Sequence, residues 1–184
     1  MATPTYGPTA LATPANAITI GRVLATPVLV ALVLGEGPGW PSLAFWIVLA
    51  GTDGADGWLA RRQGATRSGA FLDPLADKVI VLAALWALVT VDRVPWPPVV
   101  VIAAREVALS AYRSYVGRRG ISVPARPLAK VKTLVQILAV SAALLPVEGR
   151  GYEAVVATVL WVAVALTVAS GVQYLLDGRR LTLT

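Results

Sequence analysis

Long runs of apolar residues, interrupted by Gly, Pro or charged clusters, divide this chain into regular segments. A helix needs roughly 20 predominantly apolar residues to cross the hydrocarbon layer of a bilayer, and six segments meet that requirement. The predicted spans are 17–34, 41–60, 73–91, 95–117, 128–146 and 154–176. The pattern therefore predicts an all-α integral membrane protein, a bundle of six transmembrane helices.

The segments outside these runs define the predicted domain organisation. Residues 1–16 are rich in Pro, Thr and Ala and have neither a basic start nor a long apolar core, so they resemble neither a signal peptide nor a folded element. We expect a loose lead-in at 1–16, one membrane-embedded catalytic domain at 17–177, and a short tail at 178–184.

The basic residues are distributed unequally between the two sets of loops. The loops near 61–67 and 118–126, together with the C-terminus, contain eight arginines, whereas the opposite loops contain only Arg93 and Arg150 among several acidic residues. Because cytoplasmic loops of membrane proteins are enriched in Lys and Arg, both termini are predicted to be cytoplasmic. The predicted location is the inner, or plasma, membrane of the cell, with the active site on the cytoplasmic side.

Composition narrows the chemistry that is possible. The chain is 57% hydrophobic and 14% charged and contains no cysteine and no histidine, which excludes disulfides, thiol nucleophiles, imidazole bases and the usual zinc sites. The net charge of +6 alone is compatible with nucleic acid or an anionic membrane surface as partner. The apolar bulk of the chain favours membrane lipids over nucleic acid.

Four aspartates lie close together in sequence, around the predicted ends of the second and third spans. Asp53 and Asp56 share one helical stripe, and Asp73 and Asp77 share another. Carboxylates gathered at the edge of a low-dielectric layer repel one another unless cations intervene, and oxygen ligands suit Mg²⁺ or Mn²⁺. We therefore predict two divalent cations here, bound with a diphosphate substrate. The alternative is that these aspartates are interfacial helix caps.

The same stretch resembles the motif of the CDP-alcohol phosphotransferase family, D-x2-D-G-x2-A-R-x(7 or 8)-G-x3-D-x3-D. Every fixed position is present, and seven residues separate Arg61 from Gly69. The positions that match are Asp53, Asp56, Gly57, Ala60, Arg61, Gly69, Asp73 and Asp77. The resemblance implies the six-helix fold of that family, a homodimer, and transfer of a substituted phosphate group from a CDP-linked lipid to an alcohol.

The resemblance also implies residue roles. Asp53, Asp56 and Asp73 would bind the metal ions, and Asp77 would share in this and act as the catalytic base. CDP would be bound by Gly57, Arg61, Thr66, Arg67 and Gly69. Asn16, Thr19 and Arg22 resemble a short N-x2-T-x2-R pattern that precedes the motif, and Asn16 and Thr19 would join the CDP site. Simple helix capping by Asn16 is the alternative for that residue.

A second group of charged residues lies between Ile102 and Thr133. Arg105 is the deepest in its span, and we expect it to share one helical face with Leu109, Tyr112 and Arg113, with Glu106 directed elsewhere. Guanidinium and ammonium groups suit an acceptor that bears a phosphate. The predicted acceptor-phosphate residues are Arg105, Arg113, Arg118, Lys130 and Lys132. The alternatives are attraction to anionic lipid headgroups and, for Arg105, a structural ion pair.

The elements I-x2-R-E and K-x-K-T in this region resemble the branch of the family that makes phosphatidylglycerophosphate. That likeness implies CDP-diacylglycerol as donor and sn-glycerol 3-phosphate as acceptor. Other acceptors within the family, inositol phosphate or the phosphatidylglycerol used in cardiolipin synthesis, stay open. From the residues alone, a small membrane transporter is the alternative of another class, because it too can enclose carboxylates and cations in a bundle.

Overall fold

The computed structural model of the chain has six helices within the residues that it describes. It describes residues 14–63, 69–118 and 127–182, with side chains for residues 16–52, 75–116, 128 and 130–178. The helices are α1 (Pro14–Glu36), α2 (Trp40–Gln63), α3 (Gly69–Thr90), α4 (Trp96–Arg118), α5 (Pro127–Leu144) and α6 (Arg150–Thr182). No strand occurs within these described ranges, and the all-α prediction is confirmed.

Local sequence explains where several helices begin and end. α1 ends at Glu36 because Gly37 adopts a left-handed conformation, with φ of 79°, and donates its amide hydrogen to the carbonyl oxygen of Val33 at 3.1 Å. Glycine commonly ends helices in this way, because without a Cβ it adopts a positive φ at no steric cost. Ser42 then accepts the amide hydrogen of Gly39 at the start of α2. These contacts produce a tight reversal between the first two helices.

Several helix boundaries differ from those of the predicted spans, and three of them are informative. α1 begins at Pro14, so Asn16 lies inside the helix and is buried, and the capping interpretation of Asn16 is not supported. α3 begins at Gly69, which places Gly69 and Asp73 on one helix at i and i+4. α6 extends to Thr182, beyond the apolar run, because no helix-breaking residue follows Gly178 in the described segment.

The helices form two compact units. The first unit comprises residues 1–91 and 144–146 and contains α1, α2 and α3. Within it, α1 packs against both α2 and α3. Leu29, Val33, Trp46 and Leu88 are among its fully buried side chains, so its core is apolar.

The second unit comprises residues 92–143 and 147–184, with α4, α5 and α6. Here α4 packs against α6, and hydrogen bonds between side chains join α5 to both of them. Ile102, Val140 and Leu160 are fully buried, but they lie on the same helices as several buried polar residues. The interior of this unit therefore contains both apolar and polar side chains.

Two described helices are long and apolar enough to cross a membrane, Asn16–Glu36 and Arg150–Gly178. Only 28% and 39% of their most apolar windows are buried, whereas the core helix of a water-soluble protein is mostly buried. Large apolar side chains also point outward, such as Leu24 at 71% and Val107 at 65% exposure. These surfaces favour a hydrocarbon environment. Six spans and cytoplasmic termini stay predictions.

Candidate functional site

The four predicted metal ligands lie on two consecutive helices of the first unit. Asp53 and Asp56 lie in the C-terminal half of α2, and Asp73 and Asp77 lie near the start of α3. α2 ends at Gln63 and α3 begins at Gly69, so the chain between these ends can span no more than about 20 Å. The helix ends that carry the aspartates are therefore tethered near each other.

Asp77 is the one predicted ligand whose side chain the structure describes. Its Oδ1 accepts a hydrogen bond from Nη2 of Arg22 at 3.0 Å, and the two side chains are 34% and 5% exposed. A guanidinium that is almost completely buried stabilises the ionised form of a neighbouring carboxylate and fixes its orientation. Asp77 thus combines a defined position with partial access to solvent or ligand.

The predicted nucleotide-binding residues of α1 lie on its buried face. Asn16, Thr19 and Arg22 recur at intervals of three residues and are all at most 5% exposed. Thr26 continues the same face, and its hydroxyl donates to the carbonyl oxygen of Arg22 at 2.9 Å. The N-x2-T-x2-R pattern therefore describes a polar stripe inside the first unit, and this stripe places Arg22 against α3.

The other predicted residues of this region are described by backbone alone or not at all. Gly57 and Arg61 lie in α2 and Gly69 begins α3, while Thr66 and Arg67 lie outside the described residues. No group of three or more acidic or histidine side chains that could hold a metal occurs among the side chains described. Asp53, Asp56 and Asp73 are not among those side chains, so the prediction of two divalent cations stays a prediction.

The donor set nevertheless fits hard cations. It would consist of aspartates only, and Asp77 is both ionically paired and one-third exposed. Oxygen ligands of this kind are those that Mg²⁺ and Mn²⁺ prefer.

In the second unit, one carboxylate binds two cations. Oε1 of Glu106 accepts a hydrogen bond from Nη1 of Arg105 at 2.9 Å and another from Nζ of Lys132 on α5. The side chains of Arg105, Glu106 and Lys132 are 14%, 5% and 9% exposed. Two of the predicted acceptor-phosphate residues are therefore brought together, although they are far apart in sequence. We call Arg105, Glu106 and Lys132 the buried ionic triad.

The position of Glu106 corrects the sequence prediction. Glu106 was expected to be directed away from Arg105, because adjacent helical residues lie about 100° apart. Both side chains are long enough to turn toward each other despite this angle. Because both are largely buried, the energy of the ion pair favours that arrangement. One sequence signal was available: a glutamate within an apolar span must find a cationic partner.

Polar side chains of α5 and α6 extend the triad. Nη2 of Arg105 donates to Oγ of Ser170 at 2.8 Å, and Ser170 donates to the carbonyl oxygen of Thr167 at 3.1 Å. Nε2 of Gln136 donates to Oγ1 of Thr167 at 3.1 Å. Because all these groups are largely buried, this network fixes how α4, α5 and α6 are rotated against one another.

The remaining predicted acceptor residues have different surroundings. Arg113 is exposed, and its guanidinium lies 6.0 Å from the centre of the Tyr174 ring, which also meets Tyr112 edge to face. Lys130 is exposed, and the side chain of Arg118 lies outside those described. The structure therefore brings Arg105 and Lys132 together at Glu106 and gives Arg113 an aromatic contact instead.

Two glycines of α6 leave room for the polar face of α4. A Cβ at Gly171 would lie 3.1 Å from Nε of Arg105, and a Cβ at Gly178 would overlap the hydroxyl of Tyr112. Glycine permits this close approach because it has no side chain. Sequence reasoning missed both positions, and their spacing of seven residues, two helical turns, was the available signal.

These features define the class of protein: a helical membrane protein with aspartates near the ends of two consecutive helices and a buried ionic cluster rich in cations. The family model for the CDP-alcohol phosphatidyltransferases matches residues 12–169. The chain belongs to that family and is therefore a transferase.

Several curated proteins are similar to this chain over most of its length. A protein of Mycobacterium tuberculosis named "Probable phosphatidylglycerophosphate synthase" is 39% identical over 173 residues, which cover 90% of this chain and 81% of that protein. The "CDP-diacylglycerol--glycerol-3-phosphate 3-phosphatidyltransferase" of Bacillus subtilis is 37% identical, covering 86% and 91%. A protein of the same name from Haemophilus influenzae is also 37% identical, covering 86% and 89%.

Proposed function

We propose that this protein transfers the phosphatidyl group of CDP-diacylglycerol to sn-glycerol 3-phosphate, forming phosphatidylglycerophosphate and CMP. The observation that supports it most is the family match over residues 12–169, joined to relatives of at least 37% identity that carry this activity in their names. The complete eight-position aspartate motif, from Asp53 to Asp77, agrees with the same chemistry.

The chemical step is a displacement at phosphorus. The primary hydroxyl oxygen of the acceptor attacks the β-phosphorus of CDP-diacylglycerol, a new P–O bond forms, and the bond to the CMP oxygen breaks. The hydroxyl proton passes to a carboxylate oxygen of Asp77, and CMP leaves with the bonding electron pair. Asp77 suits this role because Arg22 holds its carboxylate in one orientation and one-third of the side chain is exposed.

The first unit would supply the nucleotide and metal sites. Asp53, Asp56, Asp73 and Asp77 would hold two divalent cations, Mg²⁺ or Mn²⁺. When bound, such ions neutralise the charge of the diphosphate as it develops on the leaving group. CDP would contact Gly57, Arg61, Thr66, Arg67 and Gly69, and the buried polar stripe with Asn16 and Thr19 would support that site.

The second unit would bind the phosphate of the acceptor. Arg105 and Lys132 are the best candidates, because both are largely buried and share one carboxylate. In such surroundings a guanidinium or ammonium binds phosphate more strongly than it does at an exposed surface. Arg113, Arg118 and Lys130 would contribute at longer range, guiding the anionic acceptor.

We extend the proposal to the membrane arrangement: six spans, both termini cytoplasmic, a homodimer, and an active site at the cytoplasmic side of the inner membrane. The excess of arginines on one set of loops supports this orientation. Labelling of single cysteines introduced at Arg93 and Arg150, compared with cysteines at Arg119 and Arg180, tests it. Labelling of all four from the same side would contradict it.

The activity is tested with purified protein reconstituted in vesicles that contain labelled CDP-diacylglycerol. We expect CMP release that requires both a divalent cation and glycerol 3-phosphate, and that stops after chelation and resumes when Mg²⁺ or Mn²⁺ is added. Parallel reactions with inositol phosphate and phosphatidylglycerol test the other acceptors of the family. Release supported best by either of these would overturn the choice of acceptor.

A further inference from the structure

The buried ionic triad has an imbalance of charge. Arg105 and Lys132 are two cations, and within the described residues the carboxylate that they contact is that of Glu106. In addition, Nε of Arg105 is buried without a hydrogen-bond partner among the described residues. Buried cations and donors without compensation are costly, and a structural ion pair would normally balance its charges. The surplus indicates a site prepared for an anion.

The geometry assigns Glu106 a specific part in that site. Both cations donate to the same atom, Oε1, so the guanidinium of Arg105 and the ammonium of Lys132 are held side by side. Without a carboxylate between them, two adjacent cations would repel each other and separate. A guanidinium has five N–H donors and an ammonium has three, so each cation retains donors beyond its bond to Glu106.

We propose that Glu106 is a positioning residue, which aligns Arg105 and Lys132 to bind the phosphate of the acceptor and so makes the enzyme select phosphorylated alcohols. Glu106 itself does not contact the acceptor, because a carboxylate repels phosphate. This inference rests on the proposed function, since it requires an acceptor with a phosphate group.

The test compares wild-type protein with Glu106→Gln in the vesicle assay. Glutamine keeps the length of the side chain and its hydrogen-bonding capacity but removes the charge. We expect the KM for glycerol 3-phosphate to rise at least fivefold, while the KM for CDP-diacylglycerol and kcat change less than twofold. Glu153→Gln, the same chemical change at an exposed position of α6, is the matched control and should behave as wild type.

A double-mutant cycle separates positioning from a general effect on structure. If Glu106 acts through its cations, Glu106→Gln should raise the KM for glycerol 3-phosphate less than twofold further in a Lys132→Met background. Should Glu106→Gln not fold, Glu106→Asp, which keeps the charge but withdraws it by one methylene, must show the same selective rise in KM, at least twofold.

The outcomes distinguish this inference from the proposed function. A smaller rise in the KM for glycerol 3-phosphate, an equal change in both KM values, or full additivity with Lys132→Met would overturn the role of Glu106. Failure of the wild-type protein to release CMP with glycerol 3-phosphate would instead overturn the proposed function and, with it, the inference.

Discussion

The two units differ in the ionic contacts that their buried cations make. In α1–α3, the buried guanidinium of Arg22 donates a hydrogen bond to the carboxylate of Asp77. In the described part of α4–α6, Arg105 and Lys132 both contact the carboxylate of Glu106. An ion pair with a buried guanidinium fixes the orientation of a carboxylate, whereas two cations on one carboxylate attract a further anion. Under the proposed function, proton transfer and metal binding would belong to the first unit, and recognition of the acceptor phosphate would belong to the second.

The largest expected effect comes from the carboxylate of Asp77, which is paired with Arg22. Asp77→Asn preserves the shape of the side chain but removes the proton acceptor, so kcat should fall by at least about 100-fold. Binding of CDP-diacylglycerol, measured by equilibrium binding to purified protein, should largely remain. Asp92→Asn is the control, because Asp92 is exposed and asparagine tolerates its positive φ of 55°. Normal turnover by Asp77→Asn would exclude Asp77 as the base.

Loss of the Arg22 guanidinium, which contacts Asp77, should also lower kcat. Arg22→Met removes a charge-assisted hydrogen bond worth about 1.5–3 kcal/mol, and we expect kcat to fall about 10- to 100-fold. The KM for glycerol 3-phosphate should stay within twofold of the wild-type value. Arg150→Met, at an exposed position, serves as the control. An effect confined to the KM of the acceptor would contradict the division of roles between the units.

The surplus of cations is tested by crowding Arg105. In Gly171→Ala the new Cβ would lie 3.1 Å from Nε of Arg105, so the guanidinium must shift by a few tenths of an ångström. We expect the KM for glycerol 3-phosphate to rise by a small factor, about threefold, with kcat nearly unchanged. Gly151→Ala on the same helix meets open space and should have no effect on KM. Equal kinetics for the two variants would show that the position of Arg105 does not matter.

The smallest effect on activity is expected at Arg93, whose contacts are structural. Its guanidinium donates to the carbonyl oxygens of Ala143 in the last turn of α5, at 3.0 Å, and of Val147 in the connection that follows, at 2.6 Å. It also lies 5.8 Å from the ring centre of Tyr152. Arg93→Ala should lower the free energy of unfolding by about 1–3 kcal/mol, seen as a lower thermal midpoint in detergent.

Both KM values of Arg93→Ala should remain within twofold of the wild-type values. Arg150→Ala provides the comparison for loss of an exposed arginine. A selective change in the KM for glycerol 3-phosphate would extend the proposed acceptor-phosphate site of the second unit to Arg93.

The sequence predicted more of the site in the first unit than in the second. The aspartate motif, the helices that carry it and the polar residues Asn16, Thr19 and Arg22 were recognisable from local spacing, because residues within one helix have fixed angular relations. The bond between Arg22 and Asp77 was not predicted, since it joins residues 55 positions apart. The same holds for Lys132 with Glu106 and for Arg105 with Ser170, which are 26 and 65 positions apart.

By itself, the sequence determined the class of this protein: the apolar runs require helices in a membrane, and the motif from Asp53 to Asp77 indicates transfer of a CDP-linked phosphate group. Only the tertiary structure decided which charges meet. The rotation of each helix about its axis depends on packing and on small residues such as Gly171, and that rotation brought Glu106 between two cations. Spacing along the chain carries no information about it, because the energy of a buried ion pair depends on distances between helices.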